Sequence, residues 1–164
     1  MQSAVVELNG IAQTHNQWVE AMGWHNKTVL ESLALIASEI GEAAGEVENG
    51  RPTAAFGEEL GDIVLRTADL SVTEGVDLDD AVARAQVTWR GSSIEQDFAD
   101  VYVDLGKWVN TVRGAALGPE FGAVMGVIVR RVLDIAERNG IDLLDEIGRK
   151  MAINTARGTR GRRI

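Results

Sequence analysis

Two pairs of acidic residues, each with a spacing of three positions, stand in the first half of this 164-residue sequence. The pairs are Glu39 with Glu42 and Glu59 with Asp62. On an α-helix this spacing places both carboxylates of a pair on the same face. If the two helices lie side by side, the carboxylates meet, and their mutual repulsion favours a bound cation. Oxygen ligands suit Mg²⁺, Mn²⁺ or Ca²⁺ better than Zn²⁺, so the spacing predicts a site for one of these ions.

The acidic pairs also allow two other interpretations. A solvent-facing helix surface is the simplest alternative, because charged residues commonly line the outer face of a helix. Small residues beside the pairs, at Gly41, Gly57 and Gly61, argue against it, since they let helix backbones approach closely. A ferritin-like di-iron site would need Glu-x-x-His motifs. Both histidines, His15 and His25, lie outside the acidic segments, so we reject that site.

A polar stripe lies near the C-terminus, at Lys150, Asn154 and Arg157. Residues with this spacing share one face of a helix. Alone, such a stripe is typical of a solvent-exposed surface. Beside an acidic cation site it supplies what a phosphate chain needs: Lys gives a point charge, Arg a bidentate contact and Asn a hydrogen bond. We therefore predict that this stripe binds phosphates.

The sequence contains an internal repeat. Residues 31–91 align with residues 96–156 without a gap, and fifteen of the 61 aligned positions are identical. Shared glycines and caps, such as Gly61 and Gly126, indicate a duplication rather than a chance likeness of amphipathic helices. The first-copy acids align with Asp104, Lys107, Val124 and Val127, and the polar stripe aligns with Ala85, Trp89 and Ser92. One copy keeps the acids and the other a basic face, which predicts one composite site.

The elements that position these residues are predicted to be helices. Apolar residues recur with a helical period and no convincing alternating strand is present, so the fold class is all-α, a helical bundle. Cap and turn residues predict seven helices: about 3–22; 28–48, opened by a cap at Thr28; one that follows a turn at 49–52 and runs to Glu74, with Gly75 just beyond its end; one capped by Asp77 that runs to about Arg90; one opening at Ser92 with Glu95; one from Gly118-Pro119 that Gly140 closes; and one capped by Asp142 that runs to about Arg157. These form one domain over residues 1–157, with repeats at about 28–91 and 92–157.

The composition of the chain limits which partners and which cellular location we expect. The net charge of −9 repels nucleic acid, and no apolar run is long enough to cross a bilayer. The absence of cysteine and of a secretory signal suits a cytoplasmic protein. Residues 158–164 form a basic tail, which we interpret as a flexible solubilising segment, with a phosphate-gripping arm as the alternative.

At these residues the sequence resembles the MazG-like all-α nucleoside triphosphate pyrophosphohydrolases. Residues 38–43 (SEIGEA) resemble the family's SEhxEA block, and residues 59–64 (ELGDIV) resemble its ELxDxxh block. Residues 140–143 (GIDL), with KM at 150–151 and the polar stripe, resemble its closing pattern GhDL…KMxxNxxR. The resemblance covers about residues 28–157. The two diverged copies fused in one chain also resemble, in style, the dimeric dUTPases.

The resemblance implies hydrolysis of a nucleoside triphosphate to the monophosphate and pyrophosphate, by water attack at the α-phosphorus. The four paired acids would bind Mg²⁺, with Mn²⁺ as a substitute, and Glu39, or else Glu42, would orient or deprotonate the water. Lys150, Asn154 and Arg157 would bind the triphosphate. Glu46, one turn beyond Glu42, is either a further ligand or a surface charge, and we favour the latter. A homodimer without nucleic acid or membrane partners is expected.

A nucleoside pocket is predicted just before the acidic helix, where residues 15–27 concentrate aromatic and amide side chains. We expect Trp18 to stack on a base and Asn16 and Lys27 to bind substrate; core packing and turn capping are the alternative. Trp89 and Trp108 are expected to fill the bundle.

Two other functions stay open. The loss of acids from the second copy shows how a non-catalytic module for nucleotides or protein partners could arise, although the intact first-copy acids favour an enzyme. A pyrophosphohydrolase for phosphoribosyl-ATP or an alarmone would use the same site.

Overall fold

The computed structural model describes residues 7–24, 28–112 and 117–157, and these residues form an all-α bundle. The helices are α1 (Leu8–Met22), α2 (Val29–Gly45), α3 (Phe56–Thr73), α4 (Leu78–Arg84), α5 (Ile94–Thr111), α6 (Pro119–Arg138) and α7 (Leu143–Arg157). Two short strands, β1 (Val47–Glu48) and β2 (Arg51–Pro52), pair antiparallel between α2 and α3. The predicted fold class is confirmed. In the described part of the chain, no helix has both the length and the apolar character that crossing a membrane requires.

Local caps set most of the helix starts. Thr28, Asp77 and Asp142 each accept a hydrogen bond from the backbone N–H three positions further on, at 3.1, 3.1 and 3.2 Å. These bonds satisfy donors that the first turn of a helix leaves free. Gly75 and Gly140 lie at φ +68°, a left-handed conformation that glycine adopts without strain and that ends a helix. The caps predicted at these five positions are confirmed.

The segment between α2 and α3 differs from the prediction. Helix α2 ends at Gly45 instead of Glu48, because Val47 and Glu48 pair with the residues after the turn. The predicted turn is present, and Asn49 and Gly50 both have positive φ (52° and 73°), as tight hairpins require. Strands of two residues are too short to show an alternating pattern, so periodicity could not reveal them. Helix α3 consequently begins at Phe56.

Two bounds around α4 and α5 were also predicted wrongly. Helix α4 ends at Arg84, well before residue 90, and the chain then runs without regular structure to the next helix. Helix α5 is capped by Ser93, which accepts a hydrogen bond from the N–H of Gln96 at 3.2 Å, and not by Ser92. Adjacent serines can cap equally well by type, so the sequence does not distinguish them.

Helix α3 is the centre of the bundle. Eleven of its 18 residues are buried, and it packs against α1, α2, α6 and α7. A helix that is apolar on most of its circumference is stable only when neighbours cover it on several sides. The second acidic pair lies on this rigid central element.

Helix α1 is held at its start by residues distant in sequence. The backbone N–H groups of Leu8 and Asn9 donate to the Asp79 carboxylate at 2.8 and 3.1 Å. In return, the Asn9 side-chain oxygen accepts from the backbone N–H of Leu78 at 2.9 Å. The first turns of α1 and α4 therefore cap each other.

Packing between helices follows the alignment of the two copies. Helix α2 packs on α3 as α5 packs on α6, and α7 packs on α3 as α4 packs on α6. The last helix of each copy thus lies on the long helix of the other. This reciprocal exchange matches the alignment of residues 31–91 with residues 96–156, and the duplication itself stays a prediction.

The contact between α4 and α6 is the closest in this exchange. A Cβ atom on Gly126 would overlap the backbone carbonyl of Ala81, which cannot swing away as a flexible side chain can. By contrast, a Cβ atom on Gly61 would meet the backbone of Glu146 at 3.7 Å, an ordinary contact. Gly126 is therefore a position at which the helix packing leaves no room for a side chain.

Gly126→Ala is expected to lower the free energy of unfolding by about 1–3 kcal/mol, because overpacking forces the two helix backbones apart. Urea unfolding followed by circular dichroism measures this. Gly106→Ala is the matched control: Gly106 is an exposed, mid-helix residue on α5, and its added Cβ would meet nothing within 4 Å. The control is expected to be neutral or to gain up to roughly 1 kcal/mol from helix propensity. Equal stabilities of the two variants would contradict the close packing.

Candidate metal centre

Three of the four predicted acidic ligands converge where α2 meets α3. Glu39, Glu42 and Glu59 each offer a carboxylate oxygen, and these oxygens all lie within 4.8 Å of one another. Glu39 is buried, with 3% of its surface exposed, whereas Glu42 is exposed and Glu59 is half-buried. The group therefore has a buried side and a side that solvent reaches. A cation and a water molecule could enter from the side of Glu42.

Glu59 carries the clearest sign of an unbalanced negative charge. Burial, followed by the charges of Asp62, Glu42 and Glu39, raises the pKa of Glu59 to about 7. Its Oε2 atom is buried and has no hydrogen-bond partner among the described residues. A buried carboxylate oxygen without a partner is costly, and a divalent cation removes that cost. The residues present therefore fit a metal ion of the hard, oxygen-binding class.

Asp62 lies beside this group instead of within it. Its Oδ2 atom is 3.2 Å from the Nζ atom of Lys150. Burial raises the pKa of Asp62 to about 6; the Lys150 charge opposes the rise and the Glu39 charge adds to it. Three glutamates, with an aspartate close by that is paired to a lysine, thus take the place of the predicted four-acid ligand set.

Lys150 joins the two copies at this point. Its ammonium lies between Asp62 and Glu58, with the Glu58 Oε1 atom at 2.9 Å. Burial acts to lower the pKa of Lys150, but the hydrogen bond to Glu58 and the Asp62 charge outweigh it, and the pKa is raised. The lysine is therefore a cation at working pH, held against α3.

Glu58 is a site residue that the sequence reasoning missed. The hydrogen bond from Lys150 chiefly lowers its pKa, and the charge of Arg157 acts in the same direction. Its counterpart in the second copy is Ala123, so Glu58 shows the same loss between copies as the predicted ligands. That difference is the signal that could have found it.

The other two stripe residues lie further along α7. Asn154 is half-buried, and Arg157 is exposed. Arg157 is near enough to Glu58 for its charge to lower the pKa of that carboxyl. The stripe therefore begins at the acidic group with Lys150 and continues away from it with polar, accessible side chains.

In the second copy, packed side chains occupy the position that corresponds to Asn154 of the polar stripe. The guanidinium groups of Arg131 and Arg138 lie 4.7 and 4.2 Å from the ring centre of Trp89, the counterpart of Asn154. Arg131 is also ion-paired with Asp104, the counterpart of Glu39. Such stacking of cations on an aromatic ring is stabilising. Trp108 is fully buried, which confirms that it fills the bundle, whereas Trp89 is half-buried and packs against the core.

The predicted nucleoside-binding residues have structural partners. Asn16 donates to the Asp69 carboxylate at 2.9 Å, tying α1 to α3. Trp18 stacks on His15, with ring centres 5.7 Å apart, and meets the edge of Trp24 at 4.9 Å. These contacts favour the packing alternative for Asn16 and Trp18.

Other predicted positions are less informative. Lys27 and His25 lie outside the described residues, as do residues 158–164. Glu46 follows the last residue of α2 and accepts a hydrogen bond from the Thr53 hydroxyl. This contact closes the hairpin segment, so Glu46 has a structural partner of its own.

Comparison with known proteins adds no identification. No protein-family model matches the chain, and no curated protein or solved structure is significantly similar to it. The likeness to MazG-like enzymes therefore rests on the motifs alone, and the chemistry has to be argued from the residues themselves.

Proposed function

We propose that the chain hydrolyses a nucleoside or deoxynucleoside triphosphate to the monophosphate and pyrophosphate with the help of Mg²⁺, in the control of nucleotide pools. The observation that carries the proposal is the convergence of Glu39, Glu42 and Glu59 beside Lys150. A metal–triphosphate complex needs two kinds of group. Carboxylates on α2 and α3 would bind the metal ion, and the Lys150 ammonium from the opposite copy would bind phosphate.

In the proposed site, the two copies contribute different binding groups. The glutamates of α2 and α3 would hold the cation. Lys150, Asn154 and Arg157 of α7 would bind the phosphates and stabilise the negative charge that develops on the leaving pyrophosphate. The filled second-copy position supports one such site per chain.

The glutamates differ in what they could do during the reaction. When bound, the cation would neutralise phosphate charge and make a coordinated water more acidic. Glu42 is the better candidate to orient that water or accept its proton, because its carboxylate is exposed. Glu39, which the motif likeness favoured as the base, is buried and ion-paired with Arg66, so holding the cation is the role that suits it.

Lys150 would exchange its two acidic partners for phosphate when substrate binds. In the structure its ammonium balances the charges of Glu58 and Asp62. A triphosphate arriving with its cation would bring more negative charge than either carboxylate. Lys150 would then turn toward the phosphates, which leaves Asp62 free to approach the cation.

Purified protein with Mg²⁺ and a panel of NTPs and dNTPs is expected to release pyrophosphate and the matching monophosphate. Ion-exchange chromatography of the products with a pyrophosphate-specific assay measures this, and the Glu42→Gln variant is the control for a contaminating hydrolase. Release of orthophosphate alone would place cleavage at another bond and contradict the proposal.

The same panel separates the alternatives. Adding phosphoribosyl-ATP and a guanosine tetraphosphate-like alarmone tests related substrates of the same chemistry. Nucleotide binding without turnover of any compound would favour a non-catalytic module. The proposal also includes a homodimer in the cytoplasm that binds no nucleic acid, and the net charge of −9 supports the last of these.

A further inference from the structure

Glu39 is held by an arginine from the neighbouring helix. The Nε atom of Arg66 on α3 lies 2.6 Å from the Oε1 atom of Glu39 on α2. The Arg66 side chain is 22% exposed and that of Glu39 only 4%. An ion pair with this little exposure fixes both side chains, because the surrounding packing leaves them few other rotamers.

Arg66 is itself surrounded by groups that link α3 to α1. Burial lowers the pKa of His15; the charge of Asp69 opposes this and the charge of Arg66 adds to it, so both lie near the imidazole. Asp69 accepts the hydrogen bond from Asn16 described above. Arg66 thus lies between Glu39 on one side and a packed contact of α1 with α3 on the other.

The second copy contains the same ion pair without the acidic cluster. Arg131 binds Asp104 at the equivalent positions, with side chains 9% and 8% exposed, and also donates to the backbone carbonyl of Thr88 at 3.0 Å. The counterparts of Glu42 and Glu59 there are Lys107 and Val124. One chain therefore offers the helix-joining ion pair both with and without neighbouring metal-binding acids.

We propose that Arg66 is a positioning residue of the metal centre, which holds one oxygen of Glu39 so that the carboxylate stays directed at Glu42 and Glu59. This inference rests on the proposed metal site. Two physical effects support it. A partner that fixes a ligand's orientation raises metal affinity without touching the metal. A guanidinium paired with one of three converging carboxylates also offsets part of their repulsion, which lets them stay together before a cation arrives.

The experiment compares matched variants of the two ion pairs. Arg66→Gln, Arg66→Lys, Arg131→Gln and Arg131→Lys are titrated with Mn²⁺ alone by calorimetry, and the melting temperature of each metal-free variant is recorded. Both glutamine variants are expected to lose thermal stability, because each breaks a partly buried ion pair. Only Arg66→Gln is expected to raise the Kd for Mn²⁺, by about 10- to 100-fold. Arg66→Lys keeps the charge and is expected to restore part of the affinity.

The outcomes separate this inference from the proposed function. If Arg66→Gln and Arg131→Gln have equal Kd values, or Arg66→Gln binds Mn²⁺ as the wild type does, Arg66 is a structural residue only. Tight binding by the wild type that Glu59→Gln abolishes would still uphold the metal centre in that case. Absence of Mn²⁺ binding by the wild type overturns both. If Arg66→Gln fails to fold, the Kd of Arg66→Lys tests the inference instead. This Kd is expected to be at least about threefold above that of Arg131→Lys, since lysine cannot reproduce the planar guanidinium contact. A Kd of Arg66→Lys equal to that of Arg131→Lys contradicts the inference.

Discussion

Glu59→Gln is expected to raise the Kd for Mn²⁺ by at least about a hundredfold, above the 10- to 100-fold cost of losing an outer partner of a ligand, and to reduce pyrophosphate release to the background level. Glutamine keeps the size of the side chain and its helix propensity but removes the charge. Of the three converging residues, Glu59 combines a buried, unpartnered oxygen among the described residues with a strongly raised pKa. It therefore gains most from a cation.

The measurement is a calorimetric Mn²⁺ titration together with the rate of pyrophosphate release at saturating nucleotide. Glu48→Gln is the control, because this exposed residue of β1 lies just beyond α2 and has no place in the cluster. Circular dichroism should show the same helix content for both variants. Wild-type affinity and turnover in Glu59→Gln would show that the glutamates meet without sharing a cation.

Much of the fold follows from local sequence because most of its boundaries are set by local chemistry. Thr28, Asp77 and Asp142 cap helices through the residue three positions on, and Gly75 supplies the positive φ that ends α3. These rules act within one turn, so a single sequence is enough to apply them. The cap that Asp79 gives to α1 comes from 71 residues away, and no local pattern contains that information.

The candidate site was predictable to the same extent. Helical period and small neighbouring residues predicted that Glu39, Glu42 and Glu59 would meet. The helical period determines which helix face carries each carboxylate, and small residues determine how closely the two helices approach. The partners of each side chain depend instead on rotamers and on the helix packed opposite. For this reason the sequence did not indicate the ion pair of Arg66 with Glu39. It also did not indicate that Lys150 would pair with Glu58 and Asp62.

The comparison of the two copies was the strongest sequence signal, and it also has a limit. It identified positions that had lost acids, and Glu58 follows the same rule. It could not show that Trp89 fills the second-copy position, because a tryptophan aligned with Asn154 is equally compatible with a base-stacking role. Only the two guanidinium groups against its ring decide for packing.

Acidification is expected to weaken Mn²⁺ binding by about tenfold per pH unit below about pH 7, because binding must then displace one proton from the cluster. Glu59, with a pKa of about 7, is the group that holds this proton in the metal-free protein. Asp62, with a pKa of about 6, would begin to lose its charge, and with it the ion pair to Lys150, only at lower pH. Calorimetric Kd values between about pH 8 and pH 5.5 give the slope.

Stability of the metal-free protein should show the opposite dependence. The folded pKa of Glu59 lies above its ordinary value of 4.5, so between these values the folded state binds more protons than the unfolded state. The contribution of Glu59 to the free energy of unfolding is therefore largest below about pH 4.5 and is lost as the pH rises through about 7. Glu59→Gln imitates the protonated carboxyl at every pH.

The metal-free variant Glu59→Gln is accordingly expected to melt at a higher temperature than the wild type at about pH 8, and at nearly the same temperature at about pH 4. A Mn²⁺ concentration that saturates the wild type but not the variant should reverse the order at about pH 8, since the wild type then gains more free energy from metal binding. Taking the difference between the two proteins at each pH removes the contribution of groups common to both, such as His15, whose lowered pKa acts in the other direction. A variant less stable than the metal-free wild type at about pH 8 would mean that Glu59 is already stabilised as an anion by the protein, and that the cluster has no need of a cation.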